Sequence, residues 1–130
     1  MFPPLNNILY VDDDESLRTI VQIALEDIGG YTLKICSSGL EAIETASHSE
    51  FLPDLILLDM MMPNMDGPTT LLRLRETEPK LNTVPVIFMT GKVQFQEEYK
   101  KRGVLDVITK PFDPMTLADR LQKLWETHYE

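Results

Sequence analysis

Between residues 54 and 67 the chain reads DLILLDMMMPNMDG, and no other stretch restricts the possible folds as much. Leu55, Ile56, Leu57 and Leu58 are four consecutive aliphatic residues without polar alternation. A strand with one wetted face alternates, so this run belongs to a strand covered on both faces, as in a parallel sheet flanked by helices. It stops at Asp59, and Pro63, Asn64 and Gly67 then prevent simple continuation as a helix. A carboxylate at a strand end is ordinary turn chemistry when it stands alone. Here other strand-like runs end in groups able to meet it.

The first of these is NILYV, residues 7–11, which leads straight into Asp12, Asp13 and Asp14. Leu17, Ile20, Val21, Ala24, Leu25 and Ile28 then recur at helical spacing, with Asp14 or Ser16 as the cap and Gly29-Gly30 as the stop. YTLKIC, residues 31–36, alternates and predicts a strand near a sheet edge. Ser38 and Glu41 have capping-box spacing, opening a helix that runs to about Ser49. After the central strand, Pro68 suits a first helical position, and Leu71, Leu72 and Leu74 supply the apolar side of a helix ending near Pro79.

PVIFM, residues 85–89, predicts a fourth strand ending in Thr90-Gly91, and residues 92–102 predict a weakly amphipathic helix. A short fifth strand, residues 105–109, ends in Lys110-Pro111. Asp113 and Pro114 then predict the cap and first residue of a last helix bearing Leu117, Ala118, Leu121, Leu124 and Trp125 on one face.

Five strands alternating with five helices predict an α/β fold with right-handed crossovers, a parallel sheet doubly wound by helices. Ligands in such sheets bind beyond the carboxyl ends of the strands. Asp12, Asp13, Asp59, Thr90 and Lys110 all fall at that edge. With 130 residues the expectation is a single domain, 1–130. No apolar run approaches bilayer length and MFPPLNN is not a signal pattern, so membrane insertion is not expected. The lone Cys36 precludes an internal disulfide or a cysteine metal cluster and fits a cytoplasmic location. Twenty-one acidic residues against 12 basic ones give a net charge of −9, which opposes direct nucleic-acid binding.

Three carboxylates converging on one point require a neutralising cation, and an all-oxygen donor set predicts Mg²⁺ in place of zinc. Lys110 adds a compact positive charge and Thr90 a hydroxyl donor, which together suit a transferring phosphoryl group. Asp59 is the candidate nucleophile, because a carboxylate attacks phosphorus to form an acyl phosphate when nearby positive charge stabilises the phosphoryl oxygens.

In ILYVDDDESLR (8–18), DLILLDMMMPNMDG (54–67), PVIFMTG (85–91) and ITKPF (108–112), taken in this order, the chain resembles the receiver domain of two-component response regulators. The resemblance implies a flavodoxin-like fold with strand order 2-1-3-4-5. It implies Asp59 as phosphoacceptor, Asp13 as a direct Mg²⁺ ligand, Asp12 as a ligand through water and Met61 as a ligand through its backbone carbonyl. Thr90 would be the switch hydroxyl, Lys110 the phosphate-pairing lysine, and Lys110-Pro111 a cis bond. The implied donor is a sensor histidine kinase or a histidine phosphotransfer protein. The implied output is a protein partner docking on the face made by residues 92–102, the fifth strand and the final helix, with no output domain on this chain. Such a protein is not an enzyme beyond catalysing its own phosphorylation and dephosphorylation.

Two positions depart from the family pattern: Val107 stands where Tyr or Phe is usual, and Val104 follows Gly103 in place of Ala. Two other readings remain open on the residues. Ile8 to Asp14 also suits a phosphatase of the haloacid dehalogenase class, with Asp12 as nucleophile and Asp14 as acid. A phosphate-independent docking module would use the same fold but has no physical need for Asp59, Thr90 and Lys110 together.

Overall fold

A computed structural model describes residues 2–91 and 104–130. Its five strands are β1 (Asn7–Val11), β2 (Thr32–Cys36), β3 (Leu55–Asp59), β4 (Val86–Thr90) and β5 (Asp106–Thr109). All neighbouring pairs are parallel, in the order β2-β1-β3-β4-β5. Among the described residues there are four α-helices: α1 (Glu15–Gln22), α2 (Gly39–His48), α3 (Gly67–Thr77) and α4 (Leu117–His128). The helix expected at residues 92–102 lies outside the described residues.

The unalternating strand behaves as its composition requires. Every residue of β3 is buried, with Leu55 and Leu57 in one hydrophobic cluster and Ile56 and Leu58 in another. The first cluster, shared with Val21, Leu25, Leu121 and Trp125, lies between the sheet and the layer of α1 and α4. The second joins Ala42, Leu71 and Leu74 of α2 and α3 on the opposite side. Trp125 is core as expected, and its indole N–H donates to the Pro3 carbonyl at 2.7 Å, tying α4 to the chain start.

Four local expectations are corrected. The first helix does not run uniformly to Ile28: after Gln22 it continues as a π-helix over Ile23–Ile28, where Gly29 N–H reaches the Ala24 carbonyl at 3.1 Å. That wider winding breaks the three-and-four spacing. Ile28, counted on the apolar face, is 48% exposed, and Ile20 near the end of α1 is also exposed, while Val21, Ala24 and Leu25 are buried. Leu72 is likewise exposed, since the buried face of α3 is made by Gly67, Thr70, Leu71 and Leu74.

The capping box is half made. Ser38 Oγ accepts the Glu41 N–H at 3.1 Å, but the Glu41 carboxylate takes the Ser37 hydroxyl at 2.8 Å. Asp113 caps a turn, accepting the Met115 N–H at 2.9 Å, and α4 begins only after Thr116. At the first helix the cap is Asp14, which accepts from Leu17 N–H at 3.2 Å.

The amino edge of the sheet is held by a side chain. Asp54 Oδ2 accepts the backbone N–H groups of Asn6 and Asn7 at 3.0 and 2.8 Å, and Asp54 N–H returns a bond to the Asn7 carbonyl at 2.8 Å. These bonds hold β1 against β3 one residue before their ladder begins. Asp54→Ala is expected to lower stability by about 1–2 kcal/mol, read as a lower denaturant midpoint at unchanged m-value.

Candidate functional site

Strand register places the acids. Val11 pairs with Leu58, so the next residue on each strand, Asp12 and Asp59, stand side by side at the carboxyl edge. Beyond them Asp59 pairs with Met89 and Thr90 with Thr109, which leads directly to Lys110. The Lys110 N–H donates to the Thr90 carbonyl at 2.7 Å, and the Lys110-Pro111 bond is cis, as the resemblance implies.

Single carboxylate oxygens of Asp12, Asp13 and Asp59 lie within 4.8 Å of one another. Asp12 is wholly buried and Asp59 nearly so, whereas Asp13 is exposed at the mouth. Lys110 Nζ donates to Asp59 Oδ1 at 2.9 Å and sits 3.4 Å from Asp12 Oδ2. Thr90 is buried at the end of the neighbouring strand. Met61 follows Asp59 by two residues, and its 59% exposure turns the residue outward from the core, in contrast to buried Met60 and Met62.

The loop after β3 folds back tightly. Gly67 N–H donates to the Met60 carbonyl at 2.9 Å, and a Cβ on Gly67 would come within 2.5 Å of the Asp59 carbonyl oxygen. Asn64 supplies the left-handed bend at φ 70°. Glycine and asparagine here serve the close return of the chain over the strand end.

Burial pushes the Asp59 carboxyl up to about 6; the hydrogen bond from Lys110 pulls it down, and the negative charge of Asp12 and contact with Asp13 push it up again. Burial alone would lower Lys110, but the Asp59 and Asp12 carboxylates outweigh it and hold the ammonium above its ordinary value. Lys110 thus faces two of the three acids, Asp59 and Asp12. The open mouth, the all-oxygen donor set and the like-charge crowding fit a hard divalent cation such as Mg²⁺.

The site also contains a residue that the sequence reading treated only as core. Tyr10 donates its hydroxyl to Asp12 Oδ2 at 2.8 Å. Its spacing from Asp12, two residues along a strand, is the signal that could have revealed it, since i and i+2 share a face. Asp14 N–H donates to Asp12 Oδ1 at 3.0 Å, and Arg18 Nη1 donates to the Asp12 carbonyl at 2.9 Å.

Residues 8–122 match the family described as response regulator receiver domain. The chain belongs to that family. Receiver domains are signalling modules and not turnover enzymes. This receiver is similar to the DNA-binding dual master transcriptional regulator RpaA of Synechocystis, 35% identical over 90% of this chain and 48% of the relative. It is also similar to the probable transcriptional regulator ycf29 of Porphyra purpurea, 36% identical over 91% of this chain and 56% of the relative. The chain spans about half the length of these curated relatives.

Among solved structures, the chemotaxis response regulator CheY4 of Vibrio cholerae matches with a TM-score of 0.79 at 30% identity, covering 93% of this chain and 99% of that one. The receiver domain of the hybrid histidine kinase CckA matches with a TM-score of 0.73 at 32% identity, covering 92% and 99%. The dehalogenase-type reading is not favoured. Its nucleophile would be Asp12, whose two carboxylate oxygens are already engaged by Asp14 N–H, Tyr10 and Lys110. Among the described residues no helix is long and apolar enough to cross a membrane.

Proposed function

We propose that the receiver accepts a phosphoryl group on Asp59 from the phosphohistidine of a sensor kinase or phosphotransfer protein and signals by binding a protein partner. The observation that carries this reading is the pairing of Asp59 with Lys110 at 2.9 Å beside two further acids. An Asp59 carboxylate oxygen attacks phosphorus, the P–N bond to the donor imidazole breaks, and the imidazole leaves with the electron pair. The Lys110 ammonium, held protonated by its acidic neighbours, stabilises charge on the phosphoryl oxygens. The chain catalyses only this gain and the later hydrolytic loss of its own phosphoryl group.

Asp13 and Asp59, the Met61 backbone carbonyl, and Asp12 through water would hold Mg²⁺. When bound, the ion supplies Lewis-acid neutralisation of the incoming phosphoryl oxygens. Residues 1–130 act as one receiver unit, in the cytoplasm and without direct contact to nucleic acid. Similarity to the receiver of a hybrid histidine kinase supports a phosphohistidine donor. Incubation with acetyl phosphate and Mg²⁺, followed by peptide mapping, is expected to place the label on Asp59; a label on Asp12 would overturn the assignment.

The output face we propose comprises β5, α4 and residues 92–102, which lie outside the described residues. A dianion on Asp59 offers acceptors able to draw in the hydroxyl of Thr90, buried one strand away. Val107 is already buried on β5 and has no hydroxyl to move between surface and interior, so the response leans on backbone movement. With beryllium fluoride as the phosphoryl mimic, amide NMR shifts are expected from Asp59 through Thr90 to residues 92–102 and Val107. Shifts confined to the acidic pocket and Lys110 would remove this face as the output.

A further inference from the structure

We propose that Tyr10 is a positioning residue for the metal site, its hydroxyl holding Asp12 in the orientation that engages the ion through water. The proposal rests on the reading of the acid cluster as the Mg²⁺ site. Tyr10 is 0% exposed, with its ring in the hydrophobic cluster on the α1 and α4 side of the sheet. A phenol so far from solvent needs a partner, and the only one shown for it among the described residues is Asp12 Oδ2 at 2.8 Å. An aliphatic residue would fill a buried strand position without that demand.

The consequence for Asp12 follows from counting donors. A carboxylate presents about four acceptor sites. Oδ1 takes the Asp14 N–H at 3.0 Å, while Oδ2 takes the Tyr10 hydroxyl at 2.8 Å and faces Lys110 Nζ at 3.4 Å. Asp12 therefore has room for one further donor, which suits a metal-bound water. The hydroxyl is also the nearer donor to Oδ2, so Lys110 remains closer to Asp59, at 2.9 Å. Tyr10 thus sets the aim of Asp12.

Tyr10→Phe keeps the ring and removes only the hydroxyl. Calorimetric Mg²⁺ titration of the phosphate-free protein is expected to show affinity about tenfold weaker in Tyr10→Phe than in wild type, as for other outer partners of metal ligands. In an Asp12→Ala background the same substitution should cost nothing more, because its effect runs through Asp12. A second readout needs no Asp12 variant: Tyr10→Phe should recover the wild-type rate of acetyl phosphate labelling once Mg²⁺ is saturating. Unchanged affinity in Tyr10→Phe, an equal loss in both backgrounds, or a labelling defect that persists at saturating Mg²⁺ would overturn the positioning role. A wild type that takes up no Mg²⁺, or Asp13→Ala binding as tightly as wild type, would instead remove the metal site itself and the proposal with it.

Discussion

Asp59→Asn is expected to take up no label from acetyl phosphate and Mg²⁺ under conditions in which the wild type is labelled. The amide is nearly isosteric but lacks the anionic oxygen that attacks phosphorus, so the loss should be complete and not merely a slower rate. Asp12→Asn should label more slowly yet still label, because Asp12 is buried behind its own donors and orients the site without bonding to phosphorus. Lys110→Ala should also label slowly, since it removes the cation 2.9 Å from the nucleophile but leaves the carboxylate in place. Label retained by Asp59→Asn and lost by Asp12→Asn would transfer the nucleophile to Asp12. Peptide mapping of each variant checks all three outcomes.

The same substitution should make the metal-free protein more stable at neutral pH. Asp59 has a folded-state pKa of about 6 against an ordinary value of 3.8, with burial as the main cause. Between those values the folded protein binds more protons than the unfolded chain, so stability falls as pH rises. The contribution is fully present below about pH 4 and is lost as pH passes through 6. A shift of this size corresponds to an order of 3 kcal/mol at pH 7, and losing the Lys110 partner offsets part of it. With chelator present, Asp59→Asn should therefore exceed wild type by on the order of 1–3 kcal/mol above pH 7, and the gap should narrow as pH falls below 6 and close near pH 4. Saturating Mg²⁺ should narrow the gap at neutral pH, because a ligand of the folded state stabilises the wild type. Urea unfolding of both proteins from pH 4 to 8 tests the sign, and a difference independent of pH would mean that Lys110 fully compensates the buried charge.

The positions of Asp12, Asp59, Thr90 and Lys110 were legible in the chain because each ends an apolar run. In a parallel sheet every strand has its carboxyl end on the same edge, so four such residues gather there without knowledge of the exact register. Asp12 and Asp59 became neighbours once Val11 was found opposite Leu58. The chain reading placed both helix layers correctly around β3, since only a strand covered twice tolerates Leu55 to Leu58 without a polar residue.

The failures have a common origin. Periodicity alone places Ile20, Ile28 and Leu72 inward, but the π-wound segment turns Ile28 outward, and Ile20 on α1 and Leu72 on α3 lie outside the faces their helices bury. Asp113 had the chemistry of a helix cap, yet its carboxylate is spent on a turn, and Glu41 bonds Ser37 where reciprocal capping was expected. Composition and spacing by themselves determined the layer order, the edge that carries the chemistry and the identity of its acids and lysine, because burial of apolar runs and the direction of parallel strands are properties of the chain. Which donor each carboxylate accepts was decided only by the tertiary structure. The Tyr10 hydroxyl on Asp12 and the lean of Lys110 towards Asp59 depend on differences of a few tenths of an ångström between competing partners, and such distances arise only when all the strands have been packed against one another.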